Sequence, residues 1–149
     1  MPIWSNIKYF KKNDFACKCS RHNKDNPALP EYAELNYFYL CRYFLDPLRK
    51  DCNSAVIVNS AFRCIPHNKE EGGSKYSHHT ILDTLKPETD KRPDAIDIYC
   101  TGLGHKEFDL KIKEHTDIEY CGYHIYTRFV GEQLLYFIHI DFRGFKSRW

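Results

Sequence analysis

The spacing of apolar positions changes character along the chain, and each change marks an element. Leu35, Phe38, Leu45 and Leu48 recur near helical spacing behind Pro30, Glu31 and Glu34. Proline in a first turn sacrifices no hydrogen bond, so this pattern predicts an amphipathic helix ending around Lys50, its apolar face on the core. The β-branched run Ala55-Val-Ile-Val-Asn59 predicts a buried strand. From Ser60 to about Pro93 the period disappears among Gly, Pro, His, Ser and Asn. A loop of that length in a compact domain is usually functional. Strand character returns at Ala95-Ile-Asp-Ile-Tyr99, and His105 to His115 predicts a helix with Phe108 and Ile112 on one face. Two aromatic-rich strands follow, near 119–127 and 133–142, joined by a turn around Gly131. The polar, proline-broken stretch from His22 to Pro30 is a loop. This order predicts one α+β domain over residues 1–149, with helices packed on a small, mainly antiparallel sheet.

Composition narrows the picture. A chain of 149 residues can bury a core without staples. Its net charge of +2 provides no strong field toward nucleic acid. Lys8, Lys11, Lys12 and Lys18 form a solvated basic face. No stretch approaches the roughly 20 apolar residues of a membrane span. The opening segment MPIWSNIKYFKKNDF lacks the apolar run of an export signal, so synthesis in a cytoplasm without a signal peptide is expected. Aromatic residues make up 15% of the chain, which favours strands and a ring-lined cleft. The seven cysteines are odd in number and scattered, which predicts reduced thiols. Cys17-Lys-Cys19 with His22 has the makings of half a structural zinc site. No second Cys/His pair answers it in the sequence, so the thiols are expected to be small core residues.

Three polar spots interrupt otherwise structured surroundings: Ser77-His78-His79, Asp97 in Ala-Ile-Asp-Ile, and His139 in Phe-Ile-His-Ile-Asp. An ionised Asp in a β-branched strand is costly unless it pairs or binds a metal. By the period of two, His139 shares a strand face with Phe137 and Asp141. A lone strand histidine is usually a satisfied core residue. Three such spots behind an arginine loop suit a catalytic metal, which in zinc hydrolases takes three protein ligands.

The order of motifs resembles the zinc D-Ala-D-Ala carboxypeptidases, a family that includes vancomycin-resistance dipeptidases and phage L-alanyl-D-glutamate endolysins. The resemblance runs nearly the full length. Phe15-Ala-Cys-Lys-Cys19 is similar to the family's opening segment, and Leu45-Asp-Pro-Leu-Arg49 to the end of its first helix. Val58-Asn-Ser-Ala-Phe-Arg-Cys64, His67-Asn68 and Gly72-Gly73-Ser74 resemble its Ser-Gly-Tyr-Arg-Cys-Pro loop and sequel. Ser77-His78-His79, Ala95-Ile-Asp97-Ile, Phe137-Ile-His139-Ile-Asp141 and the closing Arg148-Trp149 complete the series. The resemblance implies Zn2+ on His79, Asp97 and His139, in a cleft formed by the long loop and the sheet. It prefers His79 to His78 because the family's ligand stands two residues after the serine. It gives Arg63 the role of a cation facing the scissile carbonyl oxygen. Ser77, Tyr136 and Asp141 are then supporting or substrate residues, with Asp141 orienting a ligand.

Two departures qualify the match. Asp97 lies farther from His79 than the family usually places it, across an inserted segment TILDTLKPETDKRP (about 80–93) suited to a lid or specificity wall. The family's acidic base three residues before the last histidine is here Tyr136, a poor acceptor at neutral pH. Glu132 is the expected substitute, folded inward by the hairpin turn, ahead of Asp83, Glu88 or Asp90 of the insertion. The implied function is a zinc peptidase cutting peptidoglycan stem peptides or cross-links, of a phage-type lysis or virion-associated kind that reaches the wall after release. The alternative is a non-catalytic zinc-binding member acting as a binding or virion structural protein.

Overall fold

The computed structural model describes residues 2–80 and 93–149. Helix α1 (Glu31–Leu40) passes through a π-helical turn (Cys41–Leu45) into α2 (Asp46–Cys52). Strand β1 (Val56–Ser60), the short α3 (Ile65–Glu70), β2 (Ala95–Cys100), α4 (His105–His115), β3 (Gly122–Val130) and β4 (Gln133–Asp141) follow. The π turn has a local cause. Pro47 lacks an N–H, and the wider turn before it carries the backbone past that gap, with Asp46 N–H bonded to Cys41 carbonyl. The helix stops at Asn53, which adopts the left-handed conformation at φ 48°.

The four strands form one antiparallel sheet in the order β1-β2-β4-β3. Pleating divides its residues between two faces. Ile96, Ile98, Ile138 and Ile140 are fully buried on the helix side, where α4 packs on β2 and β4 and also meets α2. Full burial of each such side chain contributes about 1.5–3 kcal/mol. Phe108 and Ile112 of α4, Leu45, Leu48 and Tyr37 complete this core. On the opposite face the register sets Asp97 directly beside His139, and His139 beside His124.

The architecture is the α+β, antiparallel one expected, with two local differences. Leu35 is 46% exposed, while Glu34 occupies the buried face. The Glu34 carboxylate accepts from Trp4 Nε1–H at 2.9 Å and pairs with Lys12 at 2.9 Å, which is what makes a charge tolerable there. The stretch from Ser60 to Pro93, expected to be loop throughout, contains α3, whose Pro66 sits in the first turn. Most of the 80–93 insertion lies outside the described residues.

Candidate metal centre

Three donor atoms meet where the sheet faces the loop after α3. Asp97 Oδ1 lies 2.9 Å from His139 Nδ1 and 3.2 Å from His79 Nε2, and the two imidazole nitrogens are 3.2 Å apart. The cross-strand pairing of Asp97 with His139 fixes two corners, and the third arrives on the loop. The outer nitrogen of each ring is already committed. His79 Nδ1–H donates to the Ala61 carbonyl at 2.6 Å, and His139 Nε2–H donates to Asp141 Oδ2 at 2.9 Å. A carbonyl can only accept, so the neutral His79 must present a bare lone pair inward. Burial lowers the pKa of His79 against the attraction of Asp97, which keeps it neutral.

Burial also opposes charge on His139, but its hydrogen bonds to Asp141 and Asp97 win and raise its pKa. For Asp97, burial opposes ionisation, yet the neighbouring His79 and His139 hold its carboxyl well below the usual range. The triangle therefore calls for positive charge. A single proton satisfies one edge and leaves a corner unmet, whereas one divalent cation satisfies all three. Zinc–ligand bonds of about 2.0–2.1 Å at tetrahedral angles separate donors by about 3.3 Å, close to the spacings found. The donor set of two imidazoles and a carboxylate fits that ion.

The surroundings brace this geometry. Asp141 is fully buried and accepts from Arg143 Nε at 2.6 Å, Arg143 Nη2 at 2.7 Å and Gly122 N–H at 3.2 Å, besides His139. Such pairing offsets the desolvation of the carboxylate and fixes the His139 tautomer. Gly122 is required by close approach, because a Cβ there would fall 2.3 Å from Asp141 Oδ2. Ser77 Oγ accepts from the His79 N–H at 3.2 Å, and Arg63 N–H donates to the His79 carbonyl at 2.8 Å. Through these bonds the loop is pinned on both sides of its histidine.

A cleft of about 1000 Å³ opens over the triangle. Arg63 lines it, and its buried Nε meets no hydrogen-bond partner among the described residues. The other cleft cations are occupied: Lys18 donates to the Val58 and Asn59 carbonyls, and Arg143 holds Asp141. Trp149, Tyr126 and Phe137 form an aromatic wall. The Trp149 ring sits 5.1 Å from that of His139, and its Nε1–H donates to Tyr126 Oη at 2.6 Å.

Other expected residues lie elsewhere. Glu132 is exposed at the tip of the β3–β4 hairpin, beyond Gln133. Along an extended strand that is about 20 Å from His139, so the turn does not fold it inward. The hairpin is simply too long. Tyr136 stands three residues from His139 and therefore on the other sheet face. There its hydroxyl accepts from Cys100 N–H at 3.0 Å, donates to the Leu103 carbonyl at 2.8 Å, and is pushed by burial to a pKa of about 12. It pins β4 to the segment after β2 and does not reach the cleft. Asp83, Glu88 and Asp90 are outside the described residues.

Arg143 and His124 beside the triangle were absent from the sequence expectations, and His78 stood there only as the less favoured ligand. His78 turns away from the triangle, its Nδ1 lying 2.8 Å from Asp94 Oδ1. Arg143 had a legible signal, since it stands two residues after Asp141 and so shares its face. His124 had none, because only the register brings it beside His139.

A family model described as Peptidase M15 matches residues 8–133 of the chain. No curated protein and no solved structure matches it.

Proposed function

Because the chain belongs to the peptidase M15 family, the zinc peptidases of D-Ala-D-Ala carboxypeptidase type, we propose that it hydrolyses peptide bonds in the stem peptides or cross-links of bacterial peptidoglycan. We assign it to the phage-type lysis or virion-associated wall enzymes. The observation that carries this reading is the triangle of two imidazole nitrogens and a carboxylate oxygen opening onto a peptide-sized cleft. His79, Asp97 and His139 would hold the ion. When bound, zinc polarises a carbonyl and makes hydroxide available near neutral pH.

The chain's own groups do the rest. Arg63 lines the cleft, and its buried Nε meets no hydrogen-bond partner among the described residues; a guanidinium there suits the oxygen of a scissile carbonyl as negative charge develops. Asp141, clamped by Arg143, keeps the His139 ring oriented with its Nδ1 toward Asp97 and His79. The aromatic wall orients the peptide and excludes water from one side. Two cleft groups have the chemistry to accept a proton from the attacking water. Glu71 is an exposed carboxylate, and His78 has its Nδ1 engaged by Asp94.

One observation favours the alternative, a non-catalytic zinc-binding member. The position that usually carries the acidic base is Tyr136, committed to structure on the far face of β4. Incubation with purified peptidoglycan separates the readings. The zinc-loaded protein is expected to release new free amino groups, and the zinc-free protein to do so only after zinc is restored. Folded, zinc-loaded protein that leaves the wall unchanged would favour the non-catalytic reading.

A further inference from the structure

A second donor cluster lies outside the cleft. Cys17 and Cys19 follow the 3-10 turn Lys12–Phe15, His22 stands in the next loop, and Cys64 caps the start of α3. One donor atom from each lies within 4.8 Å of all the others. Cys19 Sγ is 3.7 Å from Cys17 Sγ, 3.6 Å from Cys64 Sγ and 3.2 Å from His22 Nε2. Disulfide sulfurs stand about 2.05 Å apart, so these thiols are unbonded. Sulfurs around one tetrahedral zinc, with bonds of about 2.3 Å, stand about 3.7–3.8 Å apart. The observed spacing is the second kind.

The outer contacts agree. His22 Nδ1–H donates to the Asn26 carbonyl at 3.1 Å, which leaves Nε2 with a lone pair toward the sulfurs. The Cys64 backbone N–H donates to Cys17 Sγ at 3.4 Å, and His67 Nδ1 lies 3.2 Å from the same sulfur. Hydrogen bonds onto sulfur of this kind orient thiolate ligands. No water-filled direction is needed, since three sulfurs and a nitrogen complete a tetrahedron.

We propose that Cys17, Cys19, His22 and Cys64 bind a structural zinc ion, separate from the one at His79, Asp97 and His139. Soft thiolates with one imidazole select that ion, and four protein ligands close the site to substrate. Its mechanical effect follows from the chain path. Residues 17–22 come from the opening segment, whereas Cys64 immediately follows Arg63. The ion would clamp the opening segment to the loop that presents Arg63, joining the Phe62 N–H to Phe15 carbonyl bond and the Arg21–Glu70 ion pair. The clamp positions a cleft residue without touching substrate.

Metal analysis of protein purified under reducing conditions tests this independently of any wall activity. The parent is expected to hold two zinc ions per chain, and Cys64→Ser, Cys19→Ser and His139→Ala one each. His67→Ala should keep both, because His67 contacts a sulfur from outside the set. Should the cysteine variants fail to fold, cobalt-loaded His139→Ala supplies the answer, since its thiols are intact. It is expected to show thiolate-to-cobalt charge-transfer absorption. One zinc in the parent and no such absorption in cobalt-loaded His139→Ala would overturn the proposal. So would a disulfide among these residues in freshly purified protein, or full zinc content in folded Cys64→Ser.

Discussion

The triangle at His79, Asp97 and His139 stands on paired strands and one pinned loop, and its donors line an open cleft. The cluster at Cys17, Cys19, His22 and Cys64 is assembled from loops and the start of a helix, and none of its residues lines that cleft. Three nitrogen and oxygen donors leave a position for water and substrate, whereas three sulfurs and a nitrogen leave none. Rigid strands suit a site that would hold a reacting geometry. Loops suffice where the metal itself creates the order. On the two proposals, one kind of ion would serve chemistry at the first site and architecture at the second, the roles divided by donor number and access.

Removing donors or supports from either site tests this division of roles. The largest effect is expected from His139→Ala or His79→Ala. Loss of a ligand should remove the cleft metal and several kcal/mol of transition-state stabilisation, about 10³-fold or more in turnover. His78→Ala should keep the metal. Full zinc at the cleft in His79→Ala, read by elemental analysis, would mean the ligand is misassigned.

Arg63→Lys comes next. The planar fork is lost while charge remains, so turnover should fall by on the order of 100-fold with metal content unchanged. Activity within a few-fold of the parent would make Arg63 a loop brace. Asp141→Asn should weaken cleft metal affinity by roughly 10–100-fold, because the His139 tautomer loses its anchor, and leave the thiol cluster loaded. A competition titration with a chelator measures that difference, and an unchanged affinity would remove Asp141 from the support of His139. The smallest effect is expected from Glu132→Gln, whose side chain sits at the hairpin tip. Its turnover should stay near the parent's, while Glu71→Gln or His78→Gln should lower it. A large loss in Glu132→Gln would mean the hairpin bends over the cleft during reaction.

Regular elements were legible where one period dominated. α4 spans His105–His115 as its apolar spacing predicts, and the β-branched runs around Asp97 and His139 announce β2 and β4. What was not legible depended on partners distant in the chain. Glu34 replaces Leu35 on the buried face only because Trp4 and Lys12 receive its carboxylate. α3 is six residues long and carries a proline, too short for a period to emerge. The thiol pair at Cys17 and Cys19 looked unanswered because Cys64 lies 45 positions beyond Cys19 and no local spacing links them. The place of Glu132 at the hairpin tip was not legible because hairpin length is set by β3–β4 pairing, which runs without a break from Gly122–Asp141 to Val130–Gln133.

Mass spectrometry of fragments released from purified peptidoglycan by the zinc-loaded protein, with His139→Ala as control, tests the zinc peptidase assignment most directly. That assignment requires muropeptides newly cleaved at a stem-peptide or cross-link amide, with glycan chains intact, and no such products from the variant. Unchanged wall, or identical products from folded His139→Ala lacking its cleft metal, would contradict it.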